Sequence, residues 1–241
     1  MLKAALSVAG RVVVADSHIA CFEKLSSEEQ DAIDLDSGFY DSETQEFISE
    51  TERIGFYDKE IYLIRHGECT CTDEKDPDIT ETAENDIKIA ADYLSTCNIE
   101  SFECITSPLL RCLRTADILS KMLGVKFRIV PELIERPAFL KEGEVFKLRN
   151  HSSLFPHFDW PTEKEWHILP ETYRDFHERV KETLQKIPIK SIVVTHYGYI
   201  SLTTKLSLTK SVLDDGFPPA SIIYFNKQNV KRLGCIHEEV L

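Results

Sequence analysis

Glu60-Ile61-Tyr62-Leu63-Ile64-Arg65-His66-Gly67 decides how the chain is read. Four consecutive apolar residues, entered from a charge and left through Arg-His-Gly, read as a short buried strand. Ser191-Ile192-Val193-Val194-Thr195-His196-Tyr197-Gly198 repeats that grammar. Each strand runs into a histidine, with a glycine just beyond. In open α/β sheets, ligands bind outside the carboxyl ends of the strands. A glycine there lets the backbone turn tightly and approach a ligand. One strand-end histidine reads as a satisfied structural residue; two, with an adjacent Arg65, point to a site.

Working outward, strands and helices alternate. Thr80 before Glu84, Ile87, Ala90, Ala91 and Leu94 predicts a capped helix with an apolar stripe. Phe102–Thr106 predicts a strand, and Leu109–Leu123 a helix stopped by Gly124. Val125–Val130 predicts a strand ended by Pro131. Residues 137 to 170 read as irregular. Within them Phe155-Pro156-His157-Phe158-Asp159-Trp160-Pro161 is either a packed loop, a substrate lid or a partner surface. Glu171–Ile187 predicts a helix, with Phe176, Val180 and Leu184 spaced by four. Ala220–Phe225 and Val230–Ile236 predict closing strands around an Asn226–Asn229 turn. The alternation implies a three-layer α/β/α sandwich with a mostly parallel central sheet.

The 241 residues carry a net charge of −13, spread unevenly. Glu23–Glu60 holds 13 acids against 3 bases, a net of −10. Residues 1–22 carry +1, which leaves −4 from Ile61 onward. We therefore divide the chain into an acidic leader or linker, 1–59, and a domain, 60–241. The acidic stretch 23–60 reads as a solvated linker, with a protein-partner arm as the alternative. Arg11–Ala15 is readable as one short strand. The basic, acid-poor start could instead be an organelle transit peptide, which would make the protein mitochondrial rather than cytoplasmic.

Several classes are excluded. An acidic balance argues against nucleic acid as a partner. No apolar run approaches the ~18 residues that would span a bilayer. The seven cysteines form no C-x-x-C pair and read as reduced thiols of an intracellular protein. The P-loop, the dinucleotide fingerprint and the G-x-S-x-G elbow are all absent. No cysteine is followed six positions later by arginine, as a cysteine phosphatase loop requires. His151, His157 and His167 fit no zinc spacing, so no metal and no cofactor is expected.

Leu63-Ile64-Arg65-His66-Gly67-Glu68 resembles the R-H-G motif of the histidine phosphatase superfamily, the phosphoglycerate mutase-like enzymes. Ser107-Pro108-Leu109-Leu110-Arg111-Cys112-Leu113-Arg114-Thr115-Ala116 resembles that family's S-P-L-x-R-A-x-Q-T-A helix start. Val194-Thr195-His196-Tyr197-Gly198 resembles its second-histidine strand end, and Leu133-Ile134-Glu135-Arg136 the segment bearing its proton donor. Ile79-Thr80-Glu81 and Arg179-Val180 also fall at family helix positions. Four motifs in the family's order cover about residues 60–237.

The resemblance implies a phosphoglycerate mutase-like fold and phosphoryl transfer through a histidine. His66 would be the nucleophile, since a neutral imidazole attacks well near pH 7. Arg65, Arg111 and His196 would hold the phosphoryl oxygens, for which planar guanidinium forks are suited. Glu135 would protonate the leaving alcohol, with Glu132 as the competing donor. Thr72 stands where the family has asparagine, and the 60 residues between Glu135 and His196 are fewer than mutases typically carry. Both favour a metal-independent phosphatase acting on a phosphorylated small molecule or phosphoprotein. A mutase and a non-catalytic, partner-binding domain are the alternatives.

Overall fold

The computed structural model describes residues 38–41, 46–49, 59–70, 75–137, 140–162, 166–206, 217–226 and 229–233. Arg11–Ala15, the start of the chain and Thr72 lie outside them. In the acidic stretch, which reads as a solvated linker, β1 (Gly38–Asp41) and β2 (Glu46–Ser49) form an antiparallel pair.

The main sheet contains six strands. In chain order they are β3 (Glu60–Arg65), β4 (Glu103–Thr106), β5 (Phe127–Ile129), β8 (Lys190–Thr195), β9 (Ile222–Asn226) and β10 (Asn229–Leu233). Their spatial order is β10-β9-β3-β8-β4-β5. β3, β8, β4 and β5 run parallel, while β9 is antiparallel to β3 and β10 to β9. Helices α1 (Ala83–Ser95) and α2 (Leu110–Leu123) cover one face; α3 (Tyr173–Lys186) and α4 (Tyr197–Leu206) cover the other. The expected three-layer sandwich is therefore observed.

The apolar runs are explained by burial on both sides, as parallel strands require. Tyr62 and Ile64 of β3 face α1 and α2, whereas Ile61 and Leu63 face α3 and α4. β8 splits the same way, with Ile192 and Val194 on the first side and Val193 on the second. Gly124 ends α2 with φ of 67°, a left-handed conformation that glycine adopts without a Cβ clash. Thr80 Oγ1 accepts from the backbone of Ala83 at 3.2 Å, so the expected cap sits one turn before α1. Thr172 and Asp175 form a reciprocal capping box at the start of α3.

Two stretches hold elements that the sequence did not announce. The residues after His196 form α4, which carries Gly198 and two threonines and has weak intrinsic helix propensity. Tyr199, Ile200, Leu202, Thr203 and Thr204 are all buried, so packing holds it in place of propensity. The region 137–170 is not wholly irregular, because β6 (Phe146–Leu148) and β7 (Trp166–Ile168) pair antiparallel. They pack Leu148 and Ile168 against Leu109 and Leu140.

The aromatic loop is a packed element, not a lid. Phe155 and Phe158 are buried in the α1/α2-side core and stack on each other at 5.6 Å. Asp159 exchanges backbone hydrogen bonds with β5: its N–H donates to Phe127 O, and Ile129 N–H donates to Asp159 O, both at 2.9 Å. The loop thereby covers the open edge of the sheet, where unpaired backbone groups would otherwise face solvent. Trp160 Nε1–H donates to Phe155 O at 2.9 Å and closes the turn. Phe155→Ala is expected to lower the unfolding free energy by about 3–5 kcal/mol in denaturant titration. A loss under about 0.5 kcal/mol, the usual range for surface positions, would mark the loop as a loosely attached lid.

Candidate active site

Three adjacent parallel strands end side by side. Arg65 of β3 pairs with Thr195 of β8, and Thr106 of β4 pairs with Val194. Just beyond, His66 N–H donates to Thr195 O and Ser107 N–H to Val194 O, both at 3.0 Å. Ala220, entering β9, donates its N–H to the carbonyls of both Arg65 and His66. The β3 terminus is thus held from two sides. His66 and His196 come within 5.2 Å, ring centre to ring centre.

His66 is almost fully buried, with 6 % of its surface exposed. Its Nδ1 faces the Gly67 carbonyl at 2.7 Å. A carbonyl only accepts, so Nδ1 carries the proton and Nε2 is left as a lone pair. Arg111 Nε–H donates to that Nε2 at 3.3 Å. Burial, and then the positive charges of Arg111 and Arg65, push the His66 pKa down to about 3; the bond to Gly67 opposes them.

His196 is fully buried. Its Nε2 shares a 2.8 Å hydrogen bond with Ser107 Oγ, and Cys112 Sγ lies 3.4 Å from the same nitrogen. Burial, followed by Arg111, His66, Arg179 and Arg65, lowers its pKa well below the ordinary histidine value. Both imidazoles are therefore neutral at pH 7. The site's positive charge comes from the arginines.

Arg111 sits in the first turn of α2. Leu109, the residue preceding that helix, has no side-chain cap to offer. Asp76 supplies one instead, its Oδ1 accepting from Leu110 N–H at 2.7 Å. The same carboxylate lies 3.9 Å from Arg111 Nη1 and 3.2 Å from His151 Nε2. Arg65 donates from Nη1 to Phe217 O at 2.5 Å, and its guanidinium lies over the Tyr197 ring at 5.2 Å. Burial lowers the Arg65 pKa, although arginine stays charged.

Glu135 reaches the site on a loop tied down at several points. Arg179 of α3 donates from Nη1 to the carbonyls of Glu132 and Ile134, at 2.6 and 2.9 Å, and is itself clamped bidentately by Glu171. Thr195 Oγ1–H donates to Leu133 O at 2.9 Å. Glu135 Oε2 then accepts from Gly198 N–H at 2.9 Å, in the first turn of α4. Glu132, the competing candidate, points its side chain to solvent.

Both glycines serve a purpose other than the turn expected of them. Neither is among the residues with positive φ. A Cβ on Gly67 would lie 2.9 Å from Ile87 and 3.0 Å from Ala83, so its smallness lets β3 approach α1. A Cβ on Gly198 would lie 2.4 Å from Glu135 Oε1. Gly198 therefore makes room for the carboxylate.

All five expected residues, Arg65, His66, Arg111, Glu135 and His196, converge on this one edge. Ser107, Cys112, Asp76 and Arg179 support the site without being singled out for that role by the sequence. Ser107 had a signal, standing at a strand end before the arginine-bearing helix; Asp76 had none beyond its charge. His151, His157 and His167 do not gather: His151 meets Asp76, His157 meets Asp117, and His167 is exposed on β7. Among the described residues, no three His, Cys, Asp or Glu side chains group to hold a metal ion. No helix of the described residues is long and apolar enough to cross a membrane.

Residues 61–217 match the model of the histidine phosphatase superfamily, branch 1. The chain belongs to that superfamily. Among solved structures, it is similar to the ecdysone phosphate phosphatase from Bombix mori in complex with tungstate. The TM-score is 0.52 and the identity 13 %, over 73 % of this chain and 92 % of that one. A mycobacterial glucosyl-3-phosphoglycerate phosphatase matches at 14 % identity and a TM-score of 0.47, over 72 % of this chain and 95 % of that one. At 13 % identity the likeness to the ecdysone phosphate phosphatase speaks for the fold alone. No curated protein matches the chain.

The neutral histidines carry a testable consequence. In the unfolded chain, histidine binds a proton below about pH 6.5. Folded His66 binds one only near pH 3. Between those values the unfolded state holds more protons, so stability falls as pH falls. Denaturant titrations at pH 7, 5.5 and 4.5 are expected to show that decline, and His66→Ala to make it shallower. An unchanged slope in the variant would show that His66 is protonated in the folded state.

Proposed function

We propose that the protein is a phosphoric monoester hydrolase of the histidine acid phosphatase type, working through a phosphohistidine without a metal. The observation that carries this reading is the 2.7 Å approach of His66 Nδ1 to the Gly67 carbonyl, which fixes the tautomer of the ring. With its proton on Nδ1 and bonded to the Gly67 carbonyl, the imidazole presents an unprotonated Nε2 beside Arg111. A neutral imidazole in that pose gives its Nε2 lone pair to phosphorus and becomes an N-phosphorylated imidazolium, while the substrate P–O bond breaks and its electron pair leaves with the alcohol oxygen. The Gly67 carbonyl holds the Nδ1 proton throughout and stabilises the positive charge that develops on the ring.

Arg65, Arg111 and His196 surround the transferring group in this scheme. Two guanidinium groups neutralise its oxygens, and as fixed dipoles and charges they need no reorganisation during reaction. His196 becomes a donor to the phosphoryl group as the dianion enters, because a nearby anion raises a histidine's affinity for a proton. Glu135 gives a proton to the departing alcohol oxygen, and the resulting carboxylate then takes one from the water that attacks the phosphohistidine. Its bond from Gly198 N–H holds it in place for both steps. The substrate is a phosphomonoester on a small molecule or a protein.

Incubation with an aryl phosphate in the presence of EDTA is expected to give turnover that His66→Ala abolishes. Acid-labile, alkali-stable phosphate on the wild-type chain would identify the intermediate. Full activity in His66→Ala, or a strict need for added metal, would sink the scheme. Glu135→Gln is expected to slow hydrolysis of an alkyl phosphate about 10²–10⁴-fold. An activated aryl phosphate should suffer much less, since its leaving group departs without a proton; equal losses on both would remove Glu135 from the donor role. Stimulation by a bisphosphoglycerate with an isomeric product would make the protein a mutase.

A further inference from the structure

Tyr197 is the first residue of α4, between the site histidine His196 and Gly198, whose N–H holds Glu135. It is 44 % exposed, one of seven exposed large apolar or aromatic side chains among the described residues. Of those seven, Tyr197 alone is sequence-adjacent to a site histidine and stacked on a site arginine. Its ring packs against the Arg65 guanidinium at 5.2 Å and meets the ring of Phe217 edge-on at 5.7 Å and 60°. Phe217 is buried, and its carbonyl accepts from the same Arg65. The tyrosine is thus braced from two sides while much of its surface faces solvent.

The position relative to the reaction follows from in-line displacement. With His66 Nε2 attacking, the leaving oxygen lies on the opposite side of phosphorus. That oxygen must meet Glu135, and Glu135 is bonded one residue away from Tyr197. In that geometry the group attached to the oxygen would lie close to Tyr197 as it leaves. A rigid aromatic surface there, already ordered, offers stacking at little entropic cost. A flat ring would gain more from it than a sugar or glycerol alcohol.

We propose that Tyr197 is a specificity-determining stacking surface that favours phosphomonoesters of flat, aromatic alcohols. The proposal rests on the phosphatase reading for its biological sense, but its test does not require turnover. The probes are phenylphosphonate and methylphosphonate, which share the anion and differ in the ring, titrated calorimetrically against the full chain. Wild type is expected to bind phenylphosphonate about five- to tenfold more tightly. Tyr197→Phe should keep that preference. Tyr197→Leu and Tyr197→Ala should each bring it within about twofold, chiefly by weakening the aryl ligand.

No preference in wild type would overturn the proposal, as would a preference that survives in both the leucine and alanine variants. Equal weakening of both ligands would also overturn it, because Tyr197 would then only brace Arg65. A Tyr197-dependent preference in a protein that cleaves no phenyl phosphate would sink the hydrolase reading and leave the stacking surface standing.

Discussion

The parallel register between β3 and β8 places Arg65 opposite Thr195, so His66 and His196 leave the sheet at the same level. Side chains alternate across a sheet with a period of two. A slip of one residue would turn His66 to the opposite face from His196 and bury Arg65 where an apolar residue belongs. The apolar faces on both sides of β3 forbid that slip, since Ile61 and Leu63 belong to one core and Tyr62 and Ile64 to the other. Core packing therefore sets the distance between the two imidazoles. Ser107, through its bond to Val194 O, and Arg111, on the helix that follows, inherit their places from the same register.

Electrostatics follows from that geometry. Two buried neutral histidines and two arginines form a cationic pocket within a chain of net −13. Most of that acidity lies in Glu23–Glu60, outside the matched domain. Phosphate recognition depends on charges within a few ångströms, because salt screens exposed charges beyond roughly 10 Å. The carboxylates that do approach are held in fixed roles. Asp76 caps α2 beside Arg111, and Glu135 rests on the first turn of α4, where the positive end of the helix favours an anion. Arg179 completes the arrangement by holding the Glu135 segment through two backbone carbonyls.

Much of the sheet was legible because buried parallel strands are short unbroken apolar runs. Leu63 and Val194 could be placed in strands on that signal alone. Helices with an apolar stripe and a stop, such as Leu110–Leu123 before Gly124, were equally plain. α4 was not, because its buried Tyr199, Ile200, Leu202, Thr203 and Thr204 leave no clear apolar period, and its threonines and glycine argue against helix locally. The aromatic loop was ambiguous for a related reason. Phe155 and Phe158 could line a ligand or fill a core, and only the backbone bonds between Asp159 and β5 decide for the core. β6 and β7 are three residues each, too short for an alternating pattern to register.

The chain's own order of residues determined the fold class, the two strand-end histidines and the superfamily, because each is written in contiguous apolar runs and short motifs. What required tertiary structure was everything decided by approach between distant segments. Glu135 is separated from Glu132 by the space that Gly198 leaves, 63 residues away. The His66 proton is placed by a carbonyl next to it in sequence, but its low pKa comes from burial and from Arg111 across the strand end. Periodicity reports which face a residue prefers. It does not report which partner waits there, and the chemistry of this site depends on the partners.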